Sequence, residues 1–136
     1  MFSLLSWLQI SVNLKTINLS NSLYLTNTPD FTGIPNLESL NLEGCASLSE
    51  VHPSFERHKK LRFVNLVNCY SLRILPSYLE MESLEICTLS GCSKLDEFPF
   101  IVGNINCLRE LRFPACFYFS KIFLKKLENI LYFSLF

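Results

Sequence analysis

The chain has 136 residues, 49% of them apolar, with four glycines and six prolines, a composition that supports one packed core and excludes a disordered or low-complexity chain. Twelve basic and twelve acidic residues give a formal net charge of zero. No long-range positive field gathers a polyanion, so nucleic acid is not an expected partner.

Residues 1–13 are apolar from Met1 as far as Val12, but they lack the basic start and small-residue cleavage pattern of a signal peptide and are too short to span a bilayer. They read as a partial repeat or N-terminal cap. From Leu14 the chain repeats itself, with segments opening at Leu14, Leu37, Leu61, Leu84 and Leu108. Three of them read LESLNLEGCASLSEV, LRFVNLVNCYSLRIL and LEICTLSGCSKLDEF, with apolar residues at offsets 0, 3, 5, 11 and 14 from the opening leucine and cysteine at offset 8.

Offsets 3 and 5 hold Ile17 and Leu19, Leu40 and Leu42, Val64 and Leu66, Cys87 and Leu89, and Leu111 and Phe113, each pair alternating with polar residues. A period of two marks a short strand with one buried face, and strands recurring once per segment stack into a parallel sheet. Leu25, Leu48, Leu72 and Leu95, then Val51, Leu75 and Phe98, fill the inside of a return limb. Pro29, Pro53, Pro76 and Pro99 follow where a residue without a backbone donor suits a non-sheet segment, so the limb is irregular or briefly helical. Arg57, His58, Lys59 and Lys60, the one dense basic stretch, precede an apolar strand and read as a solvated turn.

Cys45, Cys69, Cys92 and Cys116 share offset 8, where Ser22 stands in the first segment, and Cys87 replaces an apolar strand residue. An inward slot after the strand suits a small buried thiol. Equivalent positions about 5 Å apart would also permit pairing, but the ladder needs no bonds, and reduced structural thiols are expected. With no CxxC pair, neither a metal nor a cofactor is called for.

Repeats are assigned to residues 14–119, since Cys116 and Phe119 keep the offsets. Residues 120–136 are a divergent tail in which Ile122, Phe123, Leu127, Ile130 and Leu131 fall at helical spacing, as a capping helix would require. Lys121, Lys125, Lys126 and Glu128 interrupt it, so it is not read as a membrane span. The fold class is α/β: a leucine-rich-repeat right-handed solenoid, or horseshoe, of about five repeats, with a parallel β-sheet on its concave face.

TPDF at Thr28–Phe31, LEGC at Leu42–Cys45, VHPS at Val51–Ser54 and LSGCSKL at Leu89–Leu95 carry more than spacing. With them, residues 14–113 resemble the leucine-rich-repeat region of plant TIR-type nucleotide-binding disease-resistance proteins. The resemblance implies a fragment of a cytoplasmic or nucleocytoplasmic immune receptor, in which such a region senses pathogen effectors or holds the nucleotide-driven switch inactive in defence signalling. The chain departs from the family in having no Gly-x-x-x-x-Gly-Lys-Ser/Thr phosphate loop.

Catalysis is not expected. The two histidines, His52 and His58, fall on the return limb without a Ser, Cys or acid at an offset that suggests a nucleophile and base, and the acid pairs Glu80 with Glu82 and Asp96 with Glu97 read as surface charge. Binding is expected on the outward strand face. Offset 4 runs Asn18, Asn41, Asn65, Thr88 and Arg112, a row of hydrogen-bonding groups, and offset 2 runs Thr16, Ser39, Phe63, Ile86 and Glu110. Phe63 and Ile86 form an apolar pair on a polar face, so Phe63, Asn65, Ile86, Thr88 and Asn41 are the candidate contact residues. Offset 1 runs Lys15, Glu38, Arg62, Glu85 and Arg109, alternating charges that set the register of neighbouring strands.

Two functions fit these residues. One is a non-catalytic protein-binding module whose partner is a pathogen effector or the receptor's own nucleotide-binding domain, with no membrane contact. The other is a stand-alone or extracellular scaffold for a peptide or carbohydrate, to which the sequon Asn18-Leu19-Ser20 points. A gene fragment without a function of its own stands beside both.

Overall fold

The computed structural model describes residues 11–95, 98–101, 106–114 and 132–135, with the backbone alone for 100–101 and 132–135. Each segment opens with a strand: β1 (Thr16–Asn18), β2 (Ser39–Asn41), β3 (Phe63–Asn65), β5 (Ile86–Thr88) and β7 (Glu110–Phe113). They pair in parallel, and Thr16, Ser39, Phe63, Ile86 and Glu110 stand opposite one another in successive pairs. A one-residue slip would send every leucine to solvent, so the alternation of each strand fixes this register.

The return limbs are extended or irregular, as leucine-rich repeats allow. β4 (Tyr78–Leu79) pairs with β6 (Phe100–Ile101), and single bridges join Asn27 to Glu50 and Glu50 to Ile74. Among the described residues the one helical piece is a short 3-10 helix, Pro53–Arg57, with proline in its first turn where a missing N–H costs nothing.

Between the two limbs lies one continuous core. Leu40, Leu42, Cys45 and Leu48 from one turn, Val64, Leu66, Cys69 and Leu72 from the next, and Cys87, Leu89, Cys92 and Leu95 from the third are all buried. Leu14 and Leu19, at the first described turn, pack against this core while remaining half-exposed.

The cysteine ladder is held by hydrogen bonds across turns. The thiols of Cys45, Cys69 and Cys92 donate to the carbonyls of Leu19, Leu42 and Leu66 at 3.1, 3.1 and 3.0 Å. Burial pushes the Cys45 thiol up and takes Cys87 to about 12. Cys69 is raised by its side-chain hydrogen bond with Cys92 and by burial. These four are free, and so is Cys107, which is exposed and outside any ladder. Cys116 lies beyond the described residues. A thiol reagent should therefore meet Cys107 in the folded protein and reach Cys45, Cys69, Cys87 and Cys92 only on denaturation. Titration of denatured, unreduced protein should find all six cysteines of the sequence free; a count of two or fewer would mean a bridged protein.

One column went unnoticed in the sequence. Asn21, Gly44, Asn68 and Gly91 share offset 7 and all adopt left-handed backbone, with φ of 58°, 73°, 60° and 85°. They turn the chain from sheet to return limb, and asparagine and glycine are the residues that tolerate the conformation. Their alternation has a steric cause: a Cβ at Gly91 would stand 2.5 Å from Asn68 Oδ1, and one at Gly44 would strike the Asn21 side chain.

Two expectations change, one on the return limb and one at the far edge of the sheet. His58 is no part of a solvated turn, being 7% exposed, with Nε2 3.0 Å from the Phe31 carbonyl and Nδ1 3.1 Å from that of Ser54. Arg57, Lys59 and Lys60 around it are exposed, as a turn requires. At the chain's end, β8 (Tyr132–Leu135) adds a further parallel strand beside β7, with Tyr132 opposite Glu110 and Leu135 opposite Phe113. The expected helix over Ile122–Leu131 lies outside the described residues.

Candidate protein-binding face

The residues expected to bind do come together. Phe63 stands opposite Ile86, and Asn41, Asn65 and Thr88 follow one another across β2, β3 and β5. All five are half-buried: their neighbours hold them without covering them. The Arg62 guanidinium lies over the Phe63 ring, 5.1 Å from its centroid, in a cation–π contact that steadies the ring.

The asparagine row has a structural duty that spacing did not reveal. Asn18, Asn41 and Asn65 each use Oδ1 to accept the backbone N–H two residues on, from Ser20, Glu43 and Val67, all at 3.0 Å. Each amide thus closes the turn that ends its strand, so these positions are polar for a local reason as well as for any ligand. Asn65 Nδ2 also donates to Glu43 Oε2 at 3.1 Å, and Thr88 Oγ1 donates to Asn65 Oδ1 at 3.3 Å.

The charge row closes only in part. Glu85 takes Arg62 Nε at 2.6 Å and Arg109 Nη2 at 3.6 Å, whereas Lys15 and Glu38 form no ion pair with each other. Arg112 Nε instead meets Glu110 within its own strand at 2.7 Å. Both arginines of the Glu85 cluster are about half exposed, so each pair contributes roughly 0–1 kcal/mol and fixes geometry more than stability.

His52 does have a serine partner, contrary to expectation. Its Nδ1 lies 2.8 Å from Ser54 Oγ and accepts the Ser54 N–H at 3.1 Å, capping the 3-10 helix. The same hydroxyl accepts the Phe31 N–H at 2.8 Å, and the His52 N–H donates to Thr28 Oγ1 at 2.7 Å. TPDF and VHPS therefore clasp adjacent turns. Asp30, at the edge of the clasp, accepts the Thr32 N–H and hydroxyl, which hold its carboxyl below the usual range. Among the described residues no three metal-binding side chains gather, and no helix is long and apolar enough to cross a membrane. Asp96 and Glu97 lie outside the described residues, while Glu82 faces Lys59 at 3.8 Å on the surface.

Other exposed apolar groups lie off the strand face. Leu23, Tyr24 and Tyr70 are 55, 85 and 51% exposed on the turn beyond the strands. Ile74, 55% exposed, borders a return-limb hollow of about 410 Å³ with Arg73, Pro76 and Phe98. Offsets 9, 10 and 13 hold these residues where other segments carry Ala46, Ser47, Ser71 or Glu50, a contrast that could have flagged them.

Three curated plant proteins are similar to part of the chain. TMV resistance protein N of Nicotiana glutinosa is 60% identical over 42 residues, 31% of this chain and 4% of that protein. Disease resistance proteins RUN1 and RPV1 of Vitis rotundifolia are each 49% identical over 47 residues, 35% of this chain and 4% and 3% of theirs. The chain thus spans a small fraction of the length of these relatives. No family model and no solved structure matches it.

Proposed function

We propose that the chain is a non-catalytic protein-binding module of a plant immune receptor acting in the cytoplasm or nucleocytoplasm. It engages a pathogen effector or the receptor's own nucleotide-binding domain through the outward strand face. The observation that carries this is the in-register Phe63–Ile86 pair, apolar and half-buried on a face otherwise lined by Thr16, Ser39, Asn41, Asn65 and Thr88. Such a face offers an anchor with a polar surround, the arrangement of a binding hot spot. Similarity to disease-resistance proteins supports the setting.

Truncating Phe63 to Ala should weaken binding of either partner by about 1–3 kcal/mol. Lys94→Ala, at an exposed position off the strand face, should change little. Titration of each candidate partner, with circular dichroism on each variant, tests this. If Lys94→Ala abolished binding and Phe63→Ala did not, the site would lie off the sheet.

A further inference from the structure

His58 takes no part in the strand face, and the partners of its buried ring are all of one kind. Nδ1 lies 3.1 Å from the Ser54 carbonyl oxygen, and Nε2 lies 3.0 Å from that of Phe31 and 3.3 Å from that of Ile34. A hydrogen in the ring plane on either nitrogen points at one of these oxygens. A carbonyl oxygen can only accept, and among the described residues no N–H or O–H is directed at the ring. A neutral imidazole has one N–H and one lone pair, so either tautomer leaves a nitrogen lone pair facing an oxygen. Only a ring protonated on both nitrogens satisfies both sides. The Phe31 ring packs against it at 72°, with centroids 5.6 Å apart, and holds the imidazole plane in this orientation.

Burial by itself favours an uncharged ring, and three carbonyl dipoles aimed at the nitrogens oppose it. The charges nearby do not engage the ring. Arg57 turns to Tyr78 and Glu80, Lys59 to Glu82 and Lys60 to Asn36, all three from exposed positions. Asp30, exposed beside Phe31, is held by Thr32. Glu56, half-buried on the 3-10 helix, makes no ion pair or hydrogen bond with His58. The other histidine of the clasp works in the opposite sense. His52 Nδ1 accepts the Ser54 N–H, so that nitrogen must carry no proton.

The geometry points to His58 as a proton-operated lock between the first two turns of the solenoid. Protonated on both nitrogens, it bridges Phe31 and Ile34 of one segment to Ser54 of the next. Loss of either proton turns a hydrogen bond into a contact between lone pairs and loosens the return limb there. The folded chain thus holds a proton that the histidine of an unfolded chain releases above about pH 6.5, so the lock tightens as pH falls and slackens as it rises.

Nitrogen NMR of the full chain with labelled histidine reads the ring directly. At about pH 7, where an ordinary histidine is mostly neutral, both His58 nitrogens should show the shifts of protonated nitrogen. His58→Gln keeps a donor for the Phe31 carbonyl but takes up no proton, and it assigns the signals. Urea unfolding followed by circular dichroism gives the second reading. Between about pH 5.5 and 7.5, below the range in which unfolded thiols ionise, the folded-to-unfolded ratio of the parent chain should fall about fivefold more than that of His58→Gln. His52→Asn, which keeps an oxygen for the Ser54 N–H, should retain the fall of the parent chain. A His58 ring with a single proton at about pH 7, or an equal pH dependence with and without His58, overturns the inference. Should His58→Gln fail to fold, His52→Asn assigns the signals by elimination and the nitrogen shifts alone decide.

Discussion

Replacing Phe31 by Ala should lower the stability of the fold by about 3–5 kcal/mol, the cost of emptying a buried aromatic site. Phe31 is completely buried, with its ring 5.8 Å from that of Phe55 and 5.6 Å from the imidazole of His58. Its main chain is tied as well, the N–H to Ser54 Oγ and the carbonyl to His58 Nε2. Loss of the ring leaves a cavity between two turns whose walls are fixed by those hydrogen bonds, so collapse is hindered and the cost should sit high in the range. A short solenoid has little stability in reserve, and partial unfolding at room temperature is expected. Urea denaturation followed by circular dichroism reads the change; a midpoint unaltered by Phe31→Ala would show that the clasp does not hold these turns together.

Leu42→Ala should cost about 2–5 kcal/mol. Leu42 is fully buried at offset 5, and the carbonyl that accepts the Cys69 thiol belongs to it. The backbone there is also joined to the next turn by the Leu42 N–H bond to Asn65 O at 2.8 Å, so the void cannot close by moving the strand. Leu23→Ala removes the same side chain from a position 55% exposed and should move the melting temperature little. Equal effects of the two substitutions would mean that the strand register is wrong.

The strand positions, their register and the thiol ladder were legible in the sequence. Leu37, Leu40 and Leu42, and Leu61, Val64 and Leu66, can share one core only if their strands stack without slip, so repetition itself fixes the pairing. The same signature was present and overlooked at Ile130, Phe133 and Leu135, which repeat offsets 0, 3 and 5 and end in β8. A short apolar run fits helical and strand periods alike, and Ile130 and Leu131 also fit the helix counted from Ile122. Phe63, Ile86, Asn41, Asn65 and Thr88 could be placed on one face for the same reason, because period-two alternation decides which side of the sheet a residue occupies.

What those polar groups do was settled by tertiary structure. Whether Asn41 offers a donor or an acceptor depends on its Oδ1 bonding the Glu43 N–H, which needs the turn geometry that left-handed Gly44 sets one residue later. His58 looked like a surface cation beside Arg57 and Lys59, yet it is buried because Phe31 and Ile34, a full turn earlier, place carbonyls against its Nε2. The pairing of His52 with Ser54 is local, but their bonds to Thr28 and Phe31 cross between turns. A repeat fixes which side chains face inward, since burial follows from the alternation of one strand. The partner of a polar side chain depends on which atoms the neighbouring turn brings within about 3 Å, and only the stacked chain determines that.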